Sequence, residues 1–253
     1  MGIEKDLKVK SILVTQPKPE SDKSPYFDLA KKYNLKIDFR PFIHVEGVSG
    51  MDFRKEKVSI QEHQSIILTS RHAAEHFFRM CGEMRINNLE EFKYFCISES
   101  TAYYLQKFIT YRKRKIFFGK QTIQDLMDIA KKHKDDKFLL PCSDILKPEI
   151  TDTLDKHQIK YSKALLYKTV CSDLSDLEKV NFDVLVFFSP ADIASLFKNF
   201  PKFKQNNTRI AAFGTTTEQA ILEAKLKIDI YAPLPEFPSM TMALENYIKS
   251  VNK

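Results

Sequence analysis

Short apolar runs alternate along the chain with segments whose apolar residues recur at helical spacing. The runs are rich in Val, Ile and Phe, which is typical of parallel strands that are buried on both faces. Helices of about ten residues are predicted after most of them. This alternation predicts an α/β protein built on parallel sheets flanked by helices. The predicted strands are Ser11–Thr15, Ile66–Ser70, Tyr94–Ser98, Ile116–Phe118, Phe138–Pro141, Leu185–Ser189, Ile210–Gly214 and Ile228–Tyr231.

The second half of the chain repeats the order of elements found in the first half. Each strand of one half has a counterpart at a shift of about 115–130 residues, which is too long for a solenoid repeat and fits a duplicated domain. The matched strands are Ser11–Thr15 with Phe138–Pro141, Ile66–Ser70 with Leu185–Ser189, Tyr94–Ser98 with Ile210–Gly214, and Ile116–Phe118 with Ile228–Tyr231.

Two extended segments lie at equivalent places in the two halves and predict a two-stranded β linker, at 39–45 and 164–170. The chain would begin one lobe, cross to build the second, and return to finish the first. We therefore expect a discontinuous lobe of residues 1–38 plus 171–253 and an inserted lobe of residues 42–167. Both lobes are expected to be flavodoxin-like, with a ligand cleft between them.

Hydroxyl-bearing residues stand where predicted strands give way to helices. Capping of the helix would explain any one of them without a ligand. As a set they would lie at the carboxyl edges of the sheets, where free N–H groups and the helix dipole favour anions. The set therefore predicts sites for a ligand with several carboxylates or phosphates, and its members are Ser70, Thr101, Thr122, Ser189, Thr216, Thr217 and Ser239.

The composition, 43% apolar and 29% charged, is that of an ordinary globular protein. No apolar run approaches the roughly 20 residues that a membrane span needs, and Met1–Ser11 lacks the apolar block of a signal peptide. The four cysteines are scattered without a CxxC pair, which favours reduced thiols over a disulfide framework or a zinc site. These features predict a soluble, cytoplasmic protein, and nothing in the sequence demands more than a monomer.

The net charge of +7 leaves two classes of partner open. Nucleic acid is one, but the single dense basic cluster, Tyr111–Lys115, is more simply interpreted as a solvated connection before a strand. A polyanionic small molecule drawn in by the positive field fits the charge equally well. We expect no nucleic-acid partner and no membrane association.

Motifs for cofactor or metal chemistry are missing. GxGxxG, GxxxxGK[ST], GxSxG and HExxH do not occur, and the six glycines form no phosphate-binding loop. His72 and His76 have the i, i+4 spacing of a metal pair, but without a carboxylate motif a surface pair is the favoured interpretation. We expect the site to need neither a cofactor nor a metal.

Several segments, in constant order over nearly the whole chain, carry a resemblance to a known family. They are Ser11–Thr15 followed by Pro17, Ile66–Ser70, Leu166–Val170, Val184–Pro190, Ala212–Thr217 and Pro238–Ile248. Each is a weak motif alone, but together with the duplicated layout they resemble the uroporphyrinogen-III synthases. The chain differs from the usual family pattern at Gln16, Arg71-His72 and Cys142-Ser143.

The resemblance implies a cofactor-independent lyase that acts on hydroxymethylbilane, a linear tetrapyrrole with eight carboxylates. The terminal hydroxyl would leave as water, and the ring would close with inversion of the last pyrrole. Tyr167 falls on the family's tyrosine and would donate a hydrogen bond or proton to the departing hydroxyl, although a packed strand aromatic remains an alternative. Thr101 and Thr217 match family threonines, with Ser70 and Ser189 as further binding residues. The alternative function is a non-catalytic two-lobed module that binds an anionic metabolite.

Overall fold

The apolar runs form two sheets in the computed structural model, which describes residues 8–177 and 181–252. Residues 1–7 lie outside the described residues. The expectation that Met1–Ser11 is not a signal peptide falls partly on them. The strands are β1 (Ser11–Val14), β2 (Lys36–Phe39), β3 (Ile43–Gly47), β4 (Ser65–Leu68), β5 (Lys93–Cys96), β6 (Ile116–Phe118), β7 (Phe138–Ser143), β8 (Tyr161–Cys171), β9 (Val184–Phe187), β10 (Arg209–Phe213) and β11 (Ile230–Ala232).

Helices follow most of the strands, and several begin at a serine or next to a proline. The α-helices are α1 (Pro25–Tyr33), α2 (Gly50–Lys55), α3 (Arg71–Glu83), α4 (Glu99–Tyr104), α5 (Met127–Ala130), α6 (Pro148–Lys156), α7 (Pro190–Asn199), α8 (Thr215–Glu223) and α9 (Met240–Val251). Short 3₁₀ turns occur at Ile60–Glu62, Leu89–Glu91, Leu105–Lys107, Gln124–Leu126 and Lys131–His133.

Contacts divide the described chain into two units. The discontinuous unit comprises the described residues up to His44 together with those from Val170 onward, and the inserted unit is Val45–Thr169. The boundaries thus fall inside β3 and inside β8. The sequence places the corresponding boundaries a few residues away, at 38–42 and 167–171.

The two sheets share one strand order, as the predicted duplication requires. The five-stranded sheet has the order β11-β10-β9-β1-β2, and the six-stranded sheet has the order β6-β5-β4-β7-β8 with β3 beside β8. From β6 to β8, and throughout the first sheet, neighbouring strands run parallel. Each strand can be numbered by its place in the repeat, so that β1 and β7 are 1, β2 and β8 are 2, and β9 and β4 are 3. Numbered in this way, both sheets have the flavodoxin-like order 2-1-3-4-5. The predicted fold class is confirmed.

Successive residues of the central strands are buried on opposite faces of each sheet. Along β1, Ile12 and Val14 belong to the same buried cluster as Leu244 of α9, whereas Leu13 belongs to the cluster of Leu196 in α7. Strand β4 alternates in the same way between two clusters of its own unit. Burial of both faces explains why these strands are continuous apolar runs, because helices cover the sheet on each side.

The first predicted linker segment, 39–45, is not one continuous strand, and the segment 36–45 that contains it is divided. It forms two strands in different sheets, β2 and β3, and the chain turns between them at Pro41, which has no N–H to donate to a ladder. Phe42 after the proline is fully buried in the core of the discontinuous unit. The helix predicted at 123–132 also differs, since one turn of α5 lies between two 3₁₀ turns.

Thr122, one of the hydroxyl residues predicted at helix starts, forms a capping box with Asp125. The Thr122 N–H donates to Asp125 Oδ2 (2.8 Å), and the Asp125 N–H donates to Thr122 Oγ1 (3.3 Å). The Gln121 N–H donates to the same carboxylate at 3.0 Å. Because the backbone N–H groups of Gln121 and Thr122 and the Thr122 hydroxyl favour the ionised form, they lower the pKa of Asp125 to about 2.

Asp125→Asn is expected to reduce the acid sensitivity of the fold. The folded pKa of about 2 lies below the unfolded value of about 3.9, so the carboxylate stabilises the fold fully above about pH 4. This stabilisation is lost as the pH falls through the folded pKa. Urea unfolding midpoints from neutral pH down to about pH 2 should therefore fall less steeply in Asp125→Asn than in the wild type. Asp128→Asn, an exposed carboxylate nearby, is the control, and equal slopes in all three proteins would contradict the expectation.

Candidate functional site

Three hydroxyl-bearing side chains end up at one edge of the inserted unit. Ser70 is the N-cap of α3, directly after β4, and Ser143 is the last residue of β7. Tyr167 on β8 is paired with Ser143 in the ladder. Strands β4 and β7 are the neighbours at which the strand order reverses, and ligands of doubly wound folds bind outside the carboxyl ends of such strands. Ser70 and Tyr167, both predicted site residues, therefore lie at the edge where a ligand is expected.

The Tyr167 ring is packed, with only 9% of the residue exposed. It stacks on the His76 ring at a centroid distance of 4.8 Å and an interplanar angle of 15°. Burial raises the pKa of Tyr167, and hydrogen bonding from the Ser70 and Ser143 side chains offsets part of that shift. The phenol thus keeps its proton at neutral pH and acts as a hydrogen-bond donor. Tyr167 is thus a packed strand aromatic, and its role as a proton donor stays a prediction.

A bulge brings Ser143 to the site. Cys142 pairs with Leu165 but Ser143 pairs with Tyr167, which leaves Leu166 as an extra residue on β8. The buried Cys142 thiol donates to the Ala164 carbonyl (3.6 Å), and burial raises its pKa to about 11. Of the two residues that differ from the family pattern here, Ser143 therefore faces the phenol and Cys142 is an inert thiol. Ser143 is not among the site residues predicted from the sequence.

The helix starts after β4 and β9 are equivalent in the two repeats but are capped differently. At α7, Asp192 Oδ2 accepts the N–H groups of Phe188 (3.1 Å) and Ser189 (2.9 Å), which completes a capping box with the Ser189 hydroxyl. At α3, Ala73 stands in the place of Asp192, and its N–H donates to Ser70 Oγ (3.0 Å). Among the described residues, no acceptor is bonded to the Ser70 N–H. The start of α3 is therefore open to an acceptor from a ligand.

Thr101 and Thr217 occupy the third position of the equivalent helices α4 and α8, and both are buried. The Thr101 hydroxyl lies 3.1 Å from the hydroxyl of the N-cap residue Ser98. The N-cap of α8 is Gly214, whose φ of +85° suits glycine and which offers no side chain. Within the part of the chain that the structure describes, the Thr217 hydroxyl consequently has no hydrogen-bond partner.

The other predicted binding residues lie at helix starts as expected. Thr216 in the first turn of α8 and Thr122 in its capping box are exposed. Ser239 is half-buried and accepts the Met242 N–H (3.3 Å) as the N-cap of α9. Their part in ligand binding stays a prediction.

The two histidines that could have formed a metal pair have separate surroundings. His72 is exposed and lies 3.5 Å from the Glu75 carboxylate, whereas His76 is half-buried against Tyr167. The expected surface pair is thus wrong for His76, because the chain packs it beneath an aromatic ring. In residues 8–177 and 181–252, no group of three or more His, Cys, Asp or Glu side chains could hold a metal ion.

Two cations of the basic cluster Tyr111–Lys115 are used within the protein. Arg112 pairs with the Glu90 carboxylate, and the Lys115 ammonium donates to the carbonyls of Glu90 (2.9 Å) and Glu91 (2.7 Å). These contacts favour the structural interpretation of the cluster. None of the described helices is both long enough and apolar enough to cross a membrane.

The sequence was compared with known families and proteins. The family described as uroporphyrinogen-III synthase HemD matches residues 25–242. The chain belongs to this family. Membership in the uroporphyrinogen-III synthase family confirms the predicted enzyme class, a lyase of haem biosynthesis, and does not favour the non-catalytic binding module.

Individual uroporphyrinogen-III synthases match the chain over almost its full length. The protein from Chlorobaculum parvum is 21% identical over 95% of this chain and 100% of its own length. The crystal structure from Helicobacter pylori has a TM-score of 0.62 at 14% identity, covering 95% of this chain and 99% of that one. A mutant from Thermus thermophilus has a TM-score of 0.54 at 14% identity, covering 96% and 99%. At this identity, the two solved structures support the fold.

Valine substitutions at the two buried threonines are expected to have opposite effects on stability. Thr101→Val removes the bond to Ser98 and should lower the free energy of unfolding by about 1 kcal/mol. Thr217→Val removes a buried hydroxyl without a partner, so stability should stay unchanged or rise by up to about 1 kcal/mol. Urea unfolding at neutral pH measures both. An equal loss in the two variants would contradict the difference in capping.

Proposed function

We propose that the carboxyl edge formed by Ser70, Ser143 and Tyr167 carries the dehydration step in the cyclisation of hydroxymethylbilane. The observation that carries the proposal is the buried Tyr167 phenol, which lies at the same carboxyl edge as Ser70 and Ser143 and keeps its proton because burial raises its pKa. A donor held in this way can stabilise a leaving hydroxyl without a cofactor.

In the proposed reaction, the bond between the terminal methylene carbon and its hydroxyl breaks. The electron pair that expels the hydroxyl comes from the attached pyrrole ring, and the hydroxyl accepts a proton and leaves as water. The Tyr167 phenol donates the hydrogen bond, or the proton, to this oxygen. The methylene carbon then forms a bond to the last pyrrole, which becomes inverted, and the proton that this pyrrole loses on ring closure replaces the one given to the hydroxyl. For this step the protein has mainly to hold the chain of the substrate in position.

We propose that the substrate carboxylates are held by hydroxyls and backbone N–H groups at helix starts. In the inserted unit, the open N–H of Ser70 at the start of α3 is the strongest candidate, because the dipole of α3 favours an anion there. The exposed Thr122 is a further candidate. Thr101 lies beneath the start of α4 and supports it through Ser98. The net charge of +7 draws in a polyanion of this kind.

In the discontinuous unit, Thr216, Thr217 and Ser239 are the proposed binding residues. The start of α7 is a weaker candidate there, because Asp192 already accepts the Ser189 N–H. The hydroxyl of Ser189 is also engaged, since it accepts the Asp192 N–H. Ser189 is therefore proposed to stabilise α7, and its hydroxyl, which can donate a hydrogen bond while it accepts this one, is the group proposed to contact substrate.

We further propose that the enzyme works as a monomer in the cytoplasm. Cys81, Cys96 and Cys142 are buried free thiols, and burial raises the pKa of Cys81 and of Cys96 to about 12. Unpaired thiols are typical of a reducing compartment.

The proposed activity is tested by supplying hydroxymethylbilane generated in situ and separating the product isomers by chromatography. Formation of the type III isomer at a rate proportional to enzyme is expected. Formation of the spontaneous type I isomer alone would contradict the activity.

Tyr167→Phe is expected to lower kcat by about 100-fold while the protein stays folded, because the proton donor is lost and the stacked ring remains. The measurement is initial-rate kinetics with isomer analysis, together with the unfolding midpoint. Tyr161→Phe, at the other end of β8, is the matched control and should keep wild-type kcat. An unchanged kcat in Tyr167→Phe would remove the assignment.

A further inference from the structure

Behind Tyr167, the Arg79 guanidinium joins three parts of the inserted unit. Its Nη2 donates to the carbonyl of Val48, which follows β3 (2.8 Å), and to the carbonyl of Leu166 on β8 (3.0 Å). Its Nε donates to His76 Nδ1 (3.3 Å) on α3, and its Nη1 pairs with the Glu83 carboxylate. A planar guanidinium can satisfy these acceptors together because its donors point in fixed directions.

The surroundings of Arg79 are built around its position. A Cβ atom at Gly47 would lie 2.8 Å from Arg79 Cζ and Nη2, so the missing side chain is what leaves room for the guanidinium. On the far side, Glu83 Oε2 accepts the Gly50 N–H (2.7 Å) at the start of α2. The ion pair is thereby tied to the backbone, unlike a mobile surface pair.

Two of these contacts act on Tyr167. Leu166 is the extra residue of the bulge and directly precedes Tyr167, so the bond to its carbonyl holds the peptide plane from which Tyr167 projects. His76 covers one face of the phenol ring. Since Arg79 donates to His76 Nδ1, the imidazole carries its proton on Nε2. Burial lowers the pKa of His76, as do the charges of Arg79 and His72, which agrees with a neutral imidazole.

We propose that Arg79, acting through His76 and the Leu166 carbonyl, is a positioning residue that holds the Tyr167 phenol towards Ser70 and Ser143. The proposal rests on the proposed role of Tyr167. Arg79 contacts the backbone and the ring behind the phenol, so its loss affects turnover through geometry rather than through the binding of substrate carboxylates.

The test compares Arg79→Met with Arg112→Met, a matched control that removes another arginine–glutamate pair of the inserted unit. Arg79→Met is expected to lower kcat at least about tenfold, with KM changed less than about twofold, because a small misplacement of the donor is costly. Arg112→Met should keep wild-type values. Arg79→Lys should restore only part of kcat, since one ammonium cannot bond both carbonyls and His76 at once. A wild-type kcat in Arg79→Met would overturn the proposal.

A double-mutant cycle separates this proposal from the proposed function. If Arg79 acts through the phenol, Arg79→Met should change kcat less than about twofold in the Tyr167→Phe background. If Tyr167→Phe lowers kcat and the two losses multiply, Arg79 acts independently and only the positioning role is overturned. If Tyr167→Phe keeps wild-type kcat, the catalytic assignment and the positioning role both fail.

Gly47→Ala covers the case in which Arg79→Met does not fold. The added methyl displaces the guanidinium, while the backbone at Gly47, which lacks a positive φ, accommodates alanine. It should lower kcat in the same direction without raising KM, and near-ultraviolet circular dichroism checks that the fold is retained. A folded Gly47→Ala protein with wild-type kcat would also overturn the proposal.

Discussion

Each crossing from a parallel strand to a helix leaves backbone N–H groups that need acceptors, and this requirement shapes the edges of both sheets. The chain meets it in two ways at equivalent helices. In the discontinuous unit, Asp192 supplies a carboxylate to the start of α7. In the inserted unit, Ala73 stands at that place, and the start of α3 retains a free N–H. At α7 the chain supplies its own carboxylate acceptor, and at α3 the described residues supply none to the Ser70 N–H.

The bulge in β8 determines which side chains lie beside the open start of α3. The bulge on β8 moves Ser143 opposite Tyr167 and places the Cys142 thiol inside the sheet. As a result, the Ser143 side chain lies beside the phenol together with Ser70, and the nearby Cys142 thiol is buried. Burial keeps the phenol protonated, and the polar groups beside it keep its oxygen within reach of hydrogen bonds. The buried phenol and the open start of α3 thus share one edge of the inserted unit.

The fold was predictable because its signals are local and repeated. Runs such as Val184–Phe187 are apolar at every position, which indicates a strand covered on both faces, and the same order of elements occurs twice. The juxtaposition of Ser70 with Tyr167 also follows from sequence, since the carboxyl ends of parallel strands share one edge. The break at Pro41 was missed because an extended run does not reveal which sheet each part joins.

The remaining site residues depend on information that no local pattern carries. Ser143 reaches the phenol through the ladder register of two strands. Arg79 meets the backbone near Gly47, 32 positions earlier in the chain, only after the sheet and α3 have packed together. Thr101 and Thr217 look equivalent in sequence, yet the residue three positions before each of them, Ser98 or Gly214, decides whether the hydroxyl is bonded.

The central place of β1 in its sheet has a consequence for synthesis on the ribosome. Strand β1 lies between β2 and β9, yet β9 begins at Val184, after the whole inserted unit has been made. While the nascent chain grows, the backbone N–H and C=O groups along one edge of β1 lack their neighbour. The side chains of this strand include Ile12, Leu13 and Val14, which are all apolar. An unpaired apolar edge is a template for association with other chains. Strand β1 therefore needs protection until β9 has been made.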